Sequence, residues 1–194
     1  METDIGYIRI NQFIQHVSGR VEDAVDIIKL KAGSNLKGFV LDLRNNPGGP
    51  FDEALYVSDS FLENGRIVST KGRKREAHHD AAPGDIANGL PIVILINGGS
   101  ASAAEIVAGA LRDHKRAVLV GQKSFGKGTV QRLIPLGSRD ALRLTTATYH
   151  TPSGNSVEGG IVPDVKVTPN DNQDGDEQLE RAIQTVRELY HSRS

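Results

Sequence analysis

The segment PIVILINGGSASAAEIVAGAL, residues 91–111, changes character at its middle. Residues 92–96 are a continuous apolar run with the length of a buried strand, and residues 103–111 are apolar almost all round, as in a buried helix. Only small or polar residues lie between them. A buried strand that leads directly into a buried helix predicts an α/β domain, with the connecting turn at the carboxyl end of the strand.

Apolar runs and helix-spaced apolar stripes alternate along the first 120 residues. This alternation indicates an α/β fold with a largely parallel central sheet, while turn residues between the later strands indicate antiparallel pairing. Strands are expected over residues 7–10, 38–43, 67–70, 92–96, 117–120, 130–135 and 142–149. Helices are expected over residues 21–32, 54–62, 103–111 and about 176–190, and a loop is expected over residues 78–90.

The length of 194 residues suits a single domain, residues 1–194, that can bury a core without disulfides or metal. The chain has no cysteine, which excludes a thiol nucleophile and a cysteine-based zinc site. No apolar run approaches the ~20 residues of a membrane span. We expect no metal and no cofactor.

The formal net charge is −1, from 23 basic and 24 acidic residues. This balance provides no electrostatic footprint for nucleic acid or for an anionic membrane. The one basic cluster, residues 71–75, has no aromatic residues between its charges for base stacking and is interpreted as a solvated turn.

Ser102 lies at the junction of the expected strand and helix. There it would be exposed beside free helical N–H groups, which is a favourable place for an acyl-transfer nucleophile. A serine at a helix start is more often an N-cap, and Ser102 with Glu105 has the spacing of a capping box. Local sequence alone leaves both interpretations open.

Five separated motifs resemble the carboxy-terminal processing peptidases, also called tail-specific proteases, in the order of that family. The resemblance implies the ClpP/crotonase-like superhelical core, with mixed β-sheet and packed helices. It also implies a serine endopeptidase with a Ser–Lys dyad that cleaves polypeptides near their C-termini. The motifs are LDLRNNPGG at 41–49, GSASAAE at 99–105, SFGKGT at 124–129, ALRLTTATY at 141–149, and TPSG at 151–154 followed by GIVPD at 160–164.

By this resemblance Ser102 is the nucleophile and Lys127, 25 residues later, is the general base. Gln131 matches the position whose amide orients the lysine, which a neutral amide can do without favouring the charged form as a carboxylate would. Ser100 matches a structural position and is the fallback nucleophile.

The resemblance also implies an oxyanion hole made of two backbone N–H groups. One is that of Ala103, directly after the nucleophile, and the other comes from Gly48 or Gly49. Asp113 matches an acidic position that supports the site. An acid near the end of a helix is unfavourable to the macrodipole, so we expect Asp113 to have a specific partner, either an arginine or backbone.

A free lysine titrates near pH 10.4, so a lysine base that works near neutrality must be desolvated. We expect Phe125, Val130 and the strand at residues 118–120 to provide an apolar shell around Lys127. Gly126 and Gly128 would let backbone pack close to it.

Two other site types can be considered. Residues 121–127, GQKSFGK, nearly spell a phosphate-binding loop, but Gly128 stands where Ser or Thr must bind magnesium and a strand is expected where the loop needs a helix. The six histidines could suggest a Ser-His-Asp triad, but no Gly-x-Ser-x-Gly motif surrounds Ser102. Both interpretations are disfavoured.

A stronger alternative is a catalytically silent core or peptide-binding scaffold that lacks its substrate-delivery domain. Relatives usually carry an export signal and a PDZ domain ahead of the core. Only about five residues precede Gly6, so we expect both to be absent here. By family resemblance the location is the periplasm or cell envelope, and the partners are polypeptide substrates; an assembly of identical chains is left open.

Overall fold

The computed structural model describes residues 4–73, 75–137, 140–169 and 175–192, with nothing stated of the side chains of Arg132 and Leu133. Its strands are β1 (Ile5–Arg9), β2 (Gly38–Asp42), β3 (Gly65–Gly72), β4 (Glu76–Ala81), β5 (Ile92–Ile96), β6 (Ala117–Gly121), β7 (Thr129–Pro135), β8 (Ala141–His150) and β9 (Val165–Lys166). Its α-helices are α1 (Val17–Ala32), α2 (Phe51–Asp59), α3 (Ala103–Asp113) and α4 (Glu177–His191).

The strands form two sheets. The first is five-stranded in the order β1-β2-β5-β6-β9, and every pairing in it is parallel. The second is four-stranded in the order β4-β3-β8-β7, and every pairing in it is antiparallel. The α/β class is thus confirmed, with the parallel and antiparallel strands in separate sheets.

Helices cover both faces of the parallel sheet. Val40, Val93 and Leu95 on one face pack against Ala182 and Val186 of α4. The other face packs against the larger core that contains α1, α2 and α3. Strands β2 and β5 are consequently buried at every residue, which explains why they are continuous apolar runs instead of alternating ones.

Three expectations differ from the structure. Residues 78–81 belong to β4, which is an exposed edge strand of sequence EAHHDA and therefore lacks an apolar alternation. Strand β3 pairs antiparallel with β4 and β8 although it lies among the parallel strands in sequence. Helix α2 ends at Asp59, and Phe61 and Leu62 are buried beyond it in a non-helical segment.

The terminal helix and the strand-to-helix unit agree closely with expectation. Helix α1 ends at Ala32, directly before the expected stop at Gly33, and α4 covers Glu177–His191 against an expected 176–190. Within the parts of the chain that the structure describes, no helix has both the length and the apolar character to cross a membrane.

Candidate active site

Ser102 occupies a strained turn between β5 and α3. Its backbone angles are φ 54° and ψ −112°, a combination that L-residues rarely adopt, and its side chain makes no capping hydrogen bond to the helix. Ser102 is partly exposed between Ala101 and Ala103, which are both buried. A sharp, strained turn that presents a serine at the end of a buried strand is the local geometry of a nucleophile elbow.

Ser100 has a different environment from Ser102. It is fully buried, its hydroxyl donates to the carbonyl of Leu43 at 2.8 Å, and it accepts from the N–H of Asn97 at 2.9 Å. The first hydrogen bond ties the turn after β5 to the end of β2, and the second closes the turn itself. The structure therefore supports a structural role for Ser100 and gives the fallback nucleophile no access to substrate.

Gly48 lies against the nucleophile. Its φ is 94°, and a Cβ placed there would come within 2.8 Å of the Ser102 Cβ and 3.0 Å of the Ala103 nitrogen. At Gly49 a Cβ would collide with the backbone carbonyl of Phe13. Glycine is thus required at both positions because backbone approaches so closely there.

The two glycines differ in their N–H groups. The Gly48 N–H donates to the Asn46 side-chain oxygen at 2.8 Å. The N–H groups of Gly49 and of Ala103 have no acceptor within the described residues. Ala103 is the first residue of α3, so its free N–H is one of the unpaired donors that begin every helix. In this conformation Gly49 and Ala103 supply the free donors.

Glu105 joins the serine turn to the lysine loop. Its carboxylate is 1% exposed, and the same oxygen, Oε2, accepts from the backbone N–H of Ser102 and from that of Lys127, each at 2.9 Å. The two backbone nitrogens are therefore no more than twice that distance apart. Oε1 accepts from the Gly126 N–H at 2.7 Å and from the Ser124 hydroxyl at 2.5 Å.

Sequence reasoning identified Glu105 only as half of a capping box. The Glu105 carboxylate does accept from the Ser102 N–H, but the Glu105 N–H donates to the backbone carbonyl of Ser102. The signal for a larger role was available, because an acid inside a helix that is apolar all round must find several hydrogen-bond donors.

Among the described residues no apolar shell encloses the Lys127 amine, so that expectation is wrong for this conformation. The Lys127 side chain is exposed, and Phe125 is 67% exposed. Gln131 is also exposed, on β7 opposite Thr145. Within the described residues neither the Lys127 amine nor the Gln131 amide has a hydrogen-bond partner. The serine turn and the lysine loop are therefore joined by the Glu105 carboxylate and not by these side chains.

Asp113 lies at the far end of α3 from Ser102. Eleven helical residues at ~1.5 Å each separate the two by roughly 16 Å. The Asp113 carboxylate accepts from the N–H of Ser153 at 3.0 Å and from its hydroxyl at 2.6 Å. Asp113 thus has the backbone partner that was expected. It supports the turn at residues 151–154 and contacts neither Ser102 nor Lys127.

The alternative sites fail on geometry. In the described part of the chain no hydrogen bond joins a histidine to Ser102, and His114, the histidine beside Asp113, donates to the Arg66 carbonyl at 2.6 Å. The segment after Lys127 and Gly128 is strand β7, so no helix N-terminus is available for phosphates.

Arg44 anchors the loop that carries the glycines. Its guanidinium donates to both oxygens of Asp42, at 2.9 and 2.7 Å, and to both of Asp176, at 2.7 Å each. Burial alone would raise the pKa of the Asp42 carboxyl, but the hydrogen bonds from Arg44 and Tyr7 outweigh it and hold that pKa below its usual value. The Arg44 hydrogen bond likewise lowers the pKa of Asp176.

Comparison with known proteins identifies a family and several relatives. The sequence matches peptidase family S41 over residues 4–167. It is 55% identical over 171 residues to a carboxy-terminal-processing protease of Bartonella bacilliformis, covering 86% of this chain and 39% of that protein. It is 37% identical over 163 residues to the chloroplastic carboxyl-terminal-processing peptidase 2 of Arabidopsis thaliana, covering 82% of this chain and 31% of that protein.

Among solved structures, the photosystem II D1 C-terminal processing protease is similar with a TM-score of 0.79 at 32% identity. That alignment covers 91% of this chain and 46% of the other. Mature CPAF is similar in fold alone, with a TM-score of 0.71 at 14% identity. The chain spans less than half the length of the Bartonella and Arabidopsis proteins and of the D1 protease, and half that of mature CPAF.

Proposed function

The chain belongs to peptidase family S41, and from that premise we propose that it is the hydrolytic core of a serine endopeptidase that cleaves polypeptides near their C-termini. Ser102 is the nucleophile and Lys127 is the general base of this proposal. The strained backbone of Ser102 is the observation that carries it, because such strain persists only where the surrounding structure enforces it.

The proposed reaction has two halves. The neutral Lys127 amine takes the Ser102 hydroxyl proton as Oγ attacks the substrate carbonyl, and the proton then passes to the leaving amine as the peptide bond breaks. This leaves an acyl-enzyme ester on Ser102. Water attacks the ester, Lys127 accepts the proton of that water, and collapse of the second intermediate releases the acid and returns the proton to Oγ.

Backbone donors would stabilise the negative oxygen of each tetrahedral intermediate. The free N–H groups of Ala103 and Gly49 support this role, with Gly48 packed against Ser102 and its own N–H engaged by Asn46. The assignment sharpens the earlier choice between Gly48 and Gly49 in favour of Gly49 as a donor. Gln131 would orient the lysine amine once the two side chains are brought together.

Water must be excluded from Lys127 for it to act as a base, and the chain as described leaves the amine exposed. We propose that bound substrate, together with whatever part of a longer protein accompanies this core, completes the apolar shell. The same exposure favours the second candidate function, a silent core that binds peptides without cleaving them.

Hydrolysis of an unstructured polypeptide and of short peptides by the chain, with the Ser102→Ala variant as control, separates the two candidates. A peptidase cleaves both kinds of substrate, and the variant cleaves neither while it melts at the same temperature. No cleavage by the parent chain would favour the silent core. Equal cleavage by parent and variant would remove Ser102 from the mechanism.

A further inference from the structure

An open pocket of about 520 Å³ lies on one face of the antiparallel sheet, beside the first turn of α2. Phe51, Val130 and Ala147 give it an apolar lining, and Arg73 and Arg75 of the turn between β3 and β4 line it on one side. We call this feature the basic-rimmed pocket. It includes Arg73 and Arg75 of the basic cluster for which the sequence suggested only a solvated turn.

The basic-rimmed pocket adjoins both halves of the proposed site. Phe51 is three residues after Gly48, which packs on Ser102, and Val130 is three residues after Lys127. Three residues of extended chain reach at most ~10 Å. Phe51 in the pocket lining is therefore within ~10 Å of Gly48, and Val130 is within ~10 Å of Lys127.

An aromatic pair connects these two segments. The Phe51 ring stacks on the Tyr149 ring with centroids 5.4 Å apart and planes 15° from parallel. The Tyr149 N–H in turn donates to the carbonyl of Gly128 at 2.7 Å. Phe51, which lines the pocket, is thereby connected through Tyr149 to Gly128, the residue after Lys127. These contacts fix the position of the pocket relative to the lysine loop.

The charge of the pocket is positive. Arg73 and Arg75 are exposed and have no ion pair among the described residues, whereas Lys71 pairs with Glu76 at 3.7 Å and Arg66 with Asp80 at 3.1 Å. Among the described residues no aspartate or glutamate lines the pocket, and His79, which packs edge-on against Phe51, is the only described titratable group in the lining besides the two arginines. Two unpaired guanidinium groups beside an apolar surface suit a ligand that is apolar and anionic at once.

We infer that the basic-rimmed pocket is a substrate subsite that takes an apolar side chain together with a nearby carboxylate. The carboxylate belongs either to an acidic side chain or to the C-terminus of the polypeptide. The inference rests on the proposed peptidase function for its placement beside the scissile bond. Arg73 and Arg75 are then residues that determine specificity, without a part in bond cleavage.

One apolar peptide in four forms tests the subsite: with Glu or Gln at an internal position, and with a free or an amidated C-terminus. Binding is measured by fluorescence anisotropy on the Ser102→Ala variant at low salt, and kcat/KM is measured on the parent chain. The same assays are repeated with Arg73→Gln/Arg75→Gln. Arg143→Gln is the matched control, because Arg143 is exposed on β8 and does not line the pocket.

Forms with a carboxylate should bind about 3- to 10-fold more tightly than the Gln amide form, the range expected for two exposed ion pairs. The preference should fall toward 1 in Arg73→Gln/Arg75→Gln and persist in Arg143→Gln. A difference between acid and amide identifies the chain end as the source, and a difference between Glu and Gln identifies a side chain.

Equal binding of all four forms, or a preference that the double variant retains, would overturn the subsite. The proposed function fails separately. If the parent chain cleaves none of the peptides while the arginine-dependent binding preference is present, the subsite stands and the peptidase assignment does not. If cleavage occurs with no carboxylate preference in kcat/KM or in binding, the peptidase assignment stands and the subsite does not.

Discussion

The serine and the lysine of the proposed site lie on regions that differ in how firmly the fold holds them. Ser102 follows β5, which is buried at every residue, and its neighbour Ser100 is hydrogen-bonded on both sides. Lys127 precedes β7, an edge strand of the antiparallel sheet, and its side chain is exposed. The Ser102 turn is thus held by the core, while Lys127 is held only at its backbone N–H, by the Glu105 carboxylate.

The two sheets show the same contrast. In the parallel sheet both faces are covered by helices, so the apolar residues of its inner strands β2 and β5 are buried. In the β7–β8 hairpin Ile134, Leu142 and Leu144 are between 37% and 42% exposed. Glu105 is the link between the regions, since one buried carboxylate holds the backbone of both Ser102 and Lys127. If the proposed function holds, the exposed region around Lys127 would have to be covered before the lysine could act as a base.

Replacing Lys127 should have the largest effect. Lys127→Ala is expected to lower kcat/KM for a peptide by at least ~1000-fold, and adding Ser102→Ala should lower it little further because nucleophile and base act as a unit. Lys123→Ala is the matched control, since Lys123 is an exposed lysine on the same loop. Loss of activity in Lys123→Ala, with Lys127→Ala active, would reassign the base.

Glu105→Gln should affect both regions at once. The glutamine amide has one acceptor oxygen in place of two, and its NH₂ group would face the backbone N–H donors. We therefore expect kcat/KM to fall about 10- to 100-fold and the free energy of unfolding to fall by about 2–4 kcal/mol. Peptide kinetics and denaturant unfolding measure the two effects. Glu158→Gln, at an exposed glutamate, should change neither. Wild-type stability in Glu105→Gln would mean that the buried carboxylate does not hold the two loops.

Truncation of one leucine in each sheet measures the contrast directly. Leu95→Ala, at a fully buried side chain, should lower the free energy of unfolding by about 2–5 kcal/mol, and Leu144→Ala, 40% exposed, by less than about 1 kcal/mol. Urea unfolding monitored by circular dichroism supplies both numbers. Similar losses would show that the β7–β8 hairpin is covered in solution.

The smallest expected effect concerns the charge of Asp176. The pKa of its carboxyl is lowered by the Arg44 hydrogen bond, so its contribution to stability is present above the usual carboxyl pKa of about 4 and is lost as pH falls through the lowered folded value. Asp176→Asn keeps an oxygen for the Leu179 N–H and should cost less than about 1 kcal/mol at pH 7, because Asp176 is 43% exposed.

Unfolding measured from pH 7 to pH 3 checks the sign. The difference between the parent chain and Asp176→Asn should shrink as pH falls below about 4. A difference that grows on acidification would mean that the Arg44 pair does not stabilise the folded state.

Sequence alone predicted the elements whose local pattern and burial agree. Residues 92–96 and 103–111 were identified because a strand buried on both faces and a buried helix each leave a continuous apolar signal. Strand β4 was missed because an exposed edge strand has no such signal, and its polar residues look like those of a loop.

The candidate site was predictable as a set of residues but not as a geometry. Motif resemblance nominated Ser102, Lys127 and the glycines, and the structure brings their backbones together. The shared role of Glu105 depends on a loop 19 to 22 residues away in sequence, which local pattern does not reveal. The exposure of Lys127 depends on what covers the antiparallel sheet, which is a tertiary property.

Peptide hydrolysis by Ser102→Ala and Ser100→Ala, measured side by side at a temperature where both are folded, tests most directly whether the serine in the strained turn is the nucleophile. Ser102→Ala should lower kcat/KM by at least ~1000-fold with no loss of stability. Ser100→Ala should cost about 1–3 kcal/mol of stability, because the Leu43 carbonyl and the Asn97 N–H lose their partner, and should keep kcat/KM within about 10-fold. Hydrolysis that survives in Ser102→Ala and disappears in folded Ser100→Ala would contradict the assignment.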